Sequence, residues 1–130
     1  MQQSRVSEAP VGRLGTVTSD GRPQLVPCCF ALIGDIAYSA VDGKPKSTFA
    51  LRRIDNIRRS PEICLLVDHY HDDWTKLWWV RLDGSARIVE SFSEEDQAKK
   101  ALKAKYRQYE DTALPGPVIA LEITAWVGWP

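Results

Sequence analysis

The residues best suited to bind a charged ligand lie in one segment, KPKSTFALRRIDNIRRSP, which spans residues 44–61. Its cations are Lys44, Lys46, Arg52, Arg53, Arg58 and Arg59. The whole chain of 130 residues nevertheless has a formal net charge of zero. Because a nucleic-acid surface needs a broader basic patch, a local cluster in a neutral protein favours one small anionic ligand. The segment therefore predicts a phosphate-binding site.

A short helix, ended by Ser60-Pro61, is expected to position these cations. At 100° per residue, its apolar stripe consists of Ala50, Ile54 and Ile57. Arg53 lies at the border of this stripe, so its stem packs against the protein while its guanidinium reaches a ligand at the rim of a sheet. The other three arginines are interpreted as surface charges.

Other kinds of chemistry find less support in the sequence. The chain has two histidines, and no nucleophile–base pair stands out. His69 and His71 would share a strand face and could bind zinc with Asp73, but the strand is expected to end near Tyr70, which spoils that geometry. We therefore expect no catalytic side chain and no metal, which suits a reaction whose chemistry a cofactor supplies.

The length predicts a single domain over residues 1–130. No apolar run approaches the ~20 residues that span a bilayer, and MQQSRVSEAP lacks the apolar core of a signal peptide. Cys28, Cys29 and Cys64 are an odd number without repeated spacing, which argues against a disulfide framework. We expect a cytoplasmic protein that has no nucleic-acid or membrane partner.

Short β-forming segments separated by turn sequences fill most of the chain. Strands are predicted at 12–18, 24–33, 36–41, 62–70, 77–90 and 118–129. The first three are expected to form an antiparallel meander, in which Pro27 indicates an edge or a bulge. Six or seven short antiparallel strands with two or three helices favour a barrel, because closure removes exposed edges.

Two local signals refine this expectation. Asp83-Gly84 indicates a bulge or a turn within the long segment 77–90. The run Ser93 to Asp96 predicts a capping box that starts a helix ending near Tyr109. Trp78 and Trp79 point to opposite sides of a strand, so one is expected in the core and the other in a ligand or subunit groove.

Three segments, in this order, resemble the pyridoxamine 5'-phosphate oxidase-like family of flavin- and deazaflavin-binding split β-barrels. They are GRLGTVTSDGRPQLVPCCF (12–30), RIDNIRRSPEI (53–63) and WVRLDGSA (79–86). More narrowly, VDGKPKS, LLVDHY, DWTKLWWVR and PGPVIALEITAW are similar to a subgroup from actinobacteria that is expected to use coenzyme F420. The resemblance covers nearly the whole chain.

The resemblance implies a homodimeric oxidoreductase with its cofactor in a groove between subunits. Hydride would pass from reduced coenzyme F420 to a small unsaturated or quinone-like acceptor. Arg53 stands where the family often has a phosphate-binding lysine, and it keeps that charge. The resemblance also implies that Lys44 and Lys46 help to bind the phosphate and that Pro27 and Cys28 lie beside the ring. Further candidates for contact with the cofactor are Ser39 and Val41, which precede or adjoin the basic segment, and Trp79 and Arg81, which share one side of their strand. Two alternatives stay open: an FMN-dependent enzyme, and a non-catalytic carrier of a flavin, a deazaflavin or a tetrapyrrole.

Overall fold

The computed structural model describes residues 2–40, 48–111, 114 and 116–130. Within these ranges the chain forms three α-helices, seven β-strands and two 3-10 turns. The helices are α1 (Gln2–Glu8), α2 (Thr48–Arg59) and α3 (Phe92–Lys105). The strands are β1 (Gly12–Val17), β2 (Pro23–Cys28), β3 (Ala31–Ile33), β4 (Ile36–Ala40), β5 (Glu62–His69), β6 (Trp78–Ile88) and β7 (Val118–Trp129). The 3-10 turns are Trp74–Lys76 and Arg107–Tyr109.

The seven strands form one sheet in the order β2-β1-β5-β6-β7-β4-β3. Every neighbouring pair is antiparallel. The sheet curls into a half-open barrel, and this confirms the prediction of a mainly β, antiparallel split barrel with six or seven strands. None of the helices in the described ranges is both long and apolar enough to cross a membrane.

The predicted meander of the first three strands is wrong in one respect. Segment 24–33 is not one strand, because the chain leaves β2 after Cys28 and crosses to the opposite edge of the sheet as β3. Phe30 is fully buried at the crossing, and its backbone N–H donates to the Tyr106 hydroxyl (3.1 Å) rather than to a strand. β4 consequently pairs with β3 and β7 and not with β2. Pro27 does lie on an edge strand, as predicted.

The main core lies on the concave side of the sheet. Leu14, Leu65 and Leu82 are almost fully buried there, and Ile54 and Ile57 of α2 pack into the same cluster. A second apolar cluster joins α3 to the other side of β4 and β7, through residues that include Ala98, Leu102, Tyr38 and Ala120. The burial of Ile54 and Ile57 fixes which side of α2 faces the barrel, and with it the direction of Arg53.

Helix α3 begins two residues earlier than the predicted capping box. Its cap is Ser91, whose hydroxyl accepts from the Glu94 N–H (3.3 Å), and the helix ends at Lys105 rather than near Tyr109. Ser91 prevails over Ser93 because the Glu94 side chain is held by Arg87, whose guanidinium donates to both of its carboxylate oxygens at 2.7 Å.

The Asp83-Gly84 signal marks a bulge and not a turn. Asp83 pairs with Ala125 and Gly84 with Ile123, so Thr124 is an extra residue on β7. A Cβ on Gly84 would lie 2.0 Å from the Glu122 carbonyl oxygen, which only glycine avoids. The bulge lets β6 continue through 11 residues with its alternate side chains still facing the core.

Candidate functional site

Arg53 is the cation of α2 that the fold turns toward the barrel. Its side chain is half-buried between solvent and the packed side of the helix. Its Nε is fully buried and has no hydrogen-bond partner among the described residues. A buried N–H without an acceptor costs free energy, so any ligand that brought an acceptor to this atom would gain a hydrogen bond.

Two further predicted residues, Cys28 and Ser39, lie together within range of the Arg53 charge. Cys28 ends β2 and packs against the main core, and its thiol is hydrogen-bonded to the buried Ser39 of β4. The charge of Arg53 is close enough to act on this thiol, although burial has the larger effect and raises the pKa of Cys28 above its usual value. We call the neighbourhood of Arg53, Cys28 and Ser39 the Arg53 pocket; it presents one fixed positive charge, a neutral thiol and a hydroxyl.

This arrangement suits the phosphate of a ligand better than a complete ligand. The cavity that Cys28 and Ser39 line inside the barrel measures about 10 Å³, which is room for about one water molecule. This cavity is too small for a ring system. An arginine can donate to a phosphate with several N–H groups at once.

The structure separates three predicted residues from this pocket. In antiparallel pairs, directly opposed residues share a face, and the opposed pairs are Pro27 with Arg13, Arg13 with Leu66, and Leu66 with Arg81. The side of the sheet away from the core therefore carries Pro27 and Arg81. Alternation along β6 places Trp79 on the same side. We call this side the outer face; it also carries Leu25, Cys64, Val127 and Trp129.

The neighbouring tryptophans divide as their alternation predicts. Trp78 packs against the core, stacks on His69 with the ring centroids 6.2 Å apart, and lies 5.6 Å below the Arg5 guanidinium. Trp79 is half-buried on the outer face. There Arg81 is held by Asp83, with an Nε–Oδ1 distance of 2.7 Å.

Three predicted cofactor residues, Lys44, Lys46 and Val41, lie outside the described residues. The histidines considered for zinc are described. β5 ends at His69, as expected, and His71 Nδ1 accepts from the Asp73 N–H (2.9 Å). Over the described ranges, no group of three His, Cys, Asp or Glu residues is arranged to hold a metal ion.

A polar cleft next to the Arg53 pocket was missed by sequence reasoning. It measures about 290 Å³ and lies between the β1–β2 turn and α2. Its lining residues are Thr18, Ser19, Gln24, Arg52, Asp55, Asn56 and Arg59. Asn56 is 5% exposed and donates to Gln24 Oε1 (2.8 Å), a contact between residues 32 apart that no local pattern signals.

Solved structures of low sequence identity share this fold. A FAD-binding protein from Mesorhizobium loti is 21% identical, with a TM-score of 0.71 over 98% of this chain and 88% of its own. A FAD-binding protein from Mycobacterium smegmatis is 17% identical, with a TM-score of 0.66 over 97% and 88%. The heme storage protein from Vibrio cholerae is 15% identical, with a TM-score of 0.74 over 98% and 90%.

Sequence comparison gives the more direct assignment. No curated protein matches the chain. The sequence model of the pyridoxamine 5'-phosphate oxidase family, however, matches residues 2–129, which is nearly the whole chain. The chain therefore belongs to the pyridoxamine 5'-phosphate oxidase family.

Proposed function

We propose that the protein is an oxidoreductase that holds a flavin-type cofactor by its phosphate, with coenzyme F420 as the cofactor and FMN as the alternative. The observation that carries the proposal is the buried, unpartnered Nε of Arg53 beside Cys28 and Ser39. Family membership and the FAD-binding proteins of the same fold support a flavin-type ligand.

The Arg53 pocket fits an anion for a simple electrostatic reason. Arginine stays protonated at any physiological pH. A buried N–H of this charged group gains a strong hydrogen bond when a phosphate oxygen reaches it, because the interaction is charge-assisted and partly screened from water. The Ser39 hydroxyl supplies a second polar group at the same place.

The cofactor, when bound, supplies the hydride chemistry, and this chain's residues bind, orient and exclude water. With the phosphate at Arg53 and the barrel interior filled, the ring lies at the rim near the end of β2. Since β2 is an edge strand, the backbone groups on its free side can contact that ring. Acceptors that fit this setting are small unsaturated or quinone-like molecules.

We also propose a homodimer formed through the outer face. Leu25, Val127 and Trp129 are 71%, 37% and 50% exposed on that one face. Apolar side chains gathered on one face mark an interaction surface. A second copy would cover them and would place Trp79 and Arg81, which lie apart from Arg53 within one chain, in a groove between the subunits.

The preference for F420 over FMN rests on charge. The basic segment carries Lys44 and Lys46 in addition to Arg53, and the deazaflavin tail is longer and more acidic than the single phosphate of FMN. More cations than one phosphate requires favour the more acidic ligand. FMN becomes the assignment if it binds more tightly than F420.

A titration of the purified protein with F420, FMN and hemin, followed by quenching of its tryptophans, tests the cofactor proposal. Arg53→Ala should weaken F420 binding about 10- to 150-fold, which corresponds to the loss of one charged hydrogen bond worth about 1.5–3 kcal/mol. Arg58→Ala is the matched control, because Arg58 is exposed on the same helix. Equal affinities of the two variants, or preferential binding of hemin, would contradict the proposal.

Analytical ultracentrifugation tests the homodimer. Leu25→Asp places a charge on the outer face and should shift the protein to monomer. Phe92→Asp is the control, since Phe92 is 89% exposed but begins α3, away from that face. A wild-type monomer, or a dimer that both variants retain, would rule out this interface.

A further inference from the structure

Lys105, the last residue of α3, carries a half-buried amine that forms no ion pair with a described residue. Its Nζ donates to the Phe30 carbonyl oxygen (2.8 Å) and lies 3.7 Å from the centre of the Phe30 ring. The thiols of Cys28 and Cys29 are close enough to act on its charge, but burial has the larger effect and lowers the pKa of Lys105 to about 8. An amine with this pKa is about one quarter neutral at about pH 7.5, compared with about 0.1% for an ordinary exposed lysine. Lys105 therefore presents a nucleophilic amine at physiological pH.

The Cys29 thiol reaches the same place through Tyr106. It is hydrogen-bonded to the Tyr106 hydroxyl, whose oxygen lies 3.2 Å from the Phe30 carbonyl oxygen that Lys105 contacts. Cys29 also packs, half-buried, against the apolar cluster that joins α3 to β4 and β7. A thiol from the segment between β2 and β3 and an amine from α3 are thus held around one carbonyl oxygen, and both keep part of their surface in solvent.

The other two cysteines do not share this position. Cys28 packs against the main core and is hydrogen-bonded to Ser39. Burial raises the pKa of Cys28, which disfavours the reactive thiolate. Cys64 is a free thiol on the outer face. Of the three cysteines, only Cys29 joins the hydrogen-bonded group around Lys105.

A thiol beside a neutral amine is the arrangement that two-step acyl transfer from a thioester needs. In the first step, the Cys29 thiolate attacks the carbonyl carbon of an acyl thioester. A C–S bond to Cys29 forms, the C–S bond to the donor breaks, and the donor leaves as a thiolate that takes the proton Cys29 gave up. In the second step, the Lys105 amine attacks the same carbon, a C–N bond forms, and Cys29 leaves as a thiolate that takes up the proton of the amine. Each step exchanges one bond for another, so neither an oxidant nor a reductant is needed.

We infer that Lys105 is a site of acyl modification by acyl thioesters, which reach it through Cys29. The product is a neutral amide, so the modification removes the cation that lies over the Phe30 ring. Phe30 lies where the chain leaves β2 for β3, and the modified side chain therefore borders this crossing. Nothing in the reaction requires a flavin-type cofactor, and its test is independent of the proposed function.

Incubation of the purified protein with acetyl coenzyme A, followed by mass spectrometry of its peptides, measures the modification. Acetylation of Lys105 should be at least about 10-fold faster than that of Lys103 at about pH 7.5. Lys103 is exposed on the same helix and serves as the internal control. The gain in neutral amine is larger than this factor, but a less basic amine is a weaker nucleophile and a half-buried one is less accessible.

Three variants test the path through Cys29. Cys29→Ser keeps a hydroxyl that can bond to Tyr106 but removes the thiol, so it should slow the acetylation of Lys105 at least about 5-fold. The rate at Lys103 should not change in this variant, and Cys64→Ser, the matched control, should alter neither rate. Lys105→Arg keeps the charge but cannot be acetylated, so a thioester on Cys29, which hydroxylamine releases, should accumulate.

The wild-type measurement alone can overturn the inference. Equal rates of acetylation at Lys105 and Lys103 would do so without any variant. A fast rate at Lys105 that Cys29→Ser leaves unchanged would also overturn it, since the amine would then react without the thiol. A fast rate that falls in Cys29→Ser and persists in Cys64→Ser supports it.

Discussion

Glu94 is the centre of an ion-pair network that fixes α3 to the sheet. Arg87 of β6 donates to both of its carboxylate oxygens at 2.7 Å, and the Tyr38 hydroxyl of β4 donates to Oε2 at 2.7 Å. The Arg87 Nε also donates to Glu122 of β7. Glu94 thus joins α3 directly to two strands, and Arg87 extends the network to a third. Glu94→Gln removes the central charge without changing the size of the side chain.

The expected loss follows from the burial of the partners. The Glu94 side chain is 21% exposed and that of Arg87 is 40% exposed. The pair therefore lies between an exposed ion pair, worth up to about 1 kcal/mol, and a buried charged hydrogen bond, worth about 1.5–3 kcal/mol. We expect Glu94→Gln to lower the free energy of unfolding by about 2 kcal/mol, because the Arg87 guanidinium and the Tyr38 hydroxyl then face a neutral amide.

The pH dependence of the protein's stability gives a second test of the same network. Hydrogen bonds from Arg87 and Tyr38 lower the pKa of Glu94 from 4.5 to about 2. A lowered carboxyl pKa means that the stabilisation is complete above pH 4.5 and is lost as the pH falls toward 2. Glu94→Gln should remove this part of the acid sensitivity.

Thermal and urea unfolding between pH 7 and pH 3 measure both effects. A loss of about 2 kcal/mol corresponds to a Tm lower by about 8 °C for a chain of this size. Glu90→Gln is the matched control, since Glu90 is exposed and has no partner among the described residues. The reasoning is refuted if Glu94→Gln and Glu90→Gln unfold alike at pH 7, or if the two keep the same acid profile.

Two further substitutions test the fold. Gly84→Ala should destabilise the protein by about 3 kcal/mol, because the new Cβ would lie 2.0 Å from a backbone oxygen of Glu122. An unfolding free energy within about 1 kcal/mol of wild type would show that the bulge is not as described. Tyr106→Phe should lower the free energy of unfolding by about 1.5 kcal/mol, since the Tyr106 hydroxyl accepts from the Phe30 N–H and donates to the Pro10 carbonyl (2.9 Å). Unchanged urea unfolding would show that this hydroxyl does not stabilise the passage of the chain from β2 to β3.

Local signals were sufficient for the elements that a short stretch of sequence determines. The β1–β2 hairpin follows from its turn, where Gly21 adopts a φ of 83° that favours glycine. β7 follows from its length and its β-forming residues. Arg53 was placed by its position at the border of the apolar stripe, and the structure turns it toward the barrel as that position predicts.

The errors come from contacts between distant residues. Nothing local shows that the chain crosses the barrel at Phe30, because the group that accepts from the Phe30 N–H is the hydroxyl of Tyr106, 76 positions later. The choice of Ser91 over Ser93 as cap depends on Arg87 holding Glu94. Each serine is followed three residues later by an acid, so the sequence alone permits both.

The site was predictable residue by residue but not as an arrangement. Within one chain, Cys28 is hydrogen-bonded to Ser39 and lies within range of the Arg53 charge, whereas Pro27 and Trp79 lie on the outer face. Adjacent strand residues face opposite sides, so Pro27 and Cys28 cannot both face one ligand through their side chains. The strand register keeps the residues near Arg53 and those of the outer face apart within one chain. The second copy that we propose would bring the two groups together in one groove.

The central claim is that Arg53 binds the phosphate of a flavin-type cofactor. The most direct measurement is a cycle of affinities in which wild type and Arg53→Ala each bind FMN and riboflavin, or F420 and its phosphate-free chromophore. The account predicts that wild type prefers the phosphorylated ligand about 10- to 150-fold and that Arg53→Ala loses this preference. A preference that survives in Arg53→Ala, or one that wild type never shows, would contradict it.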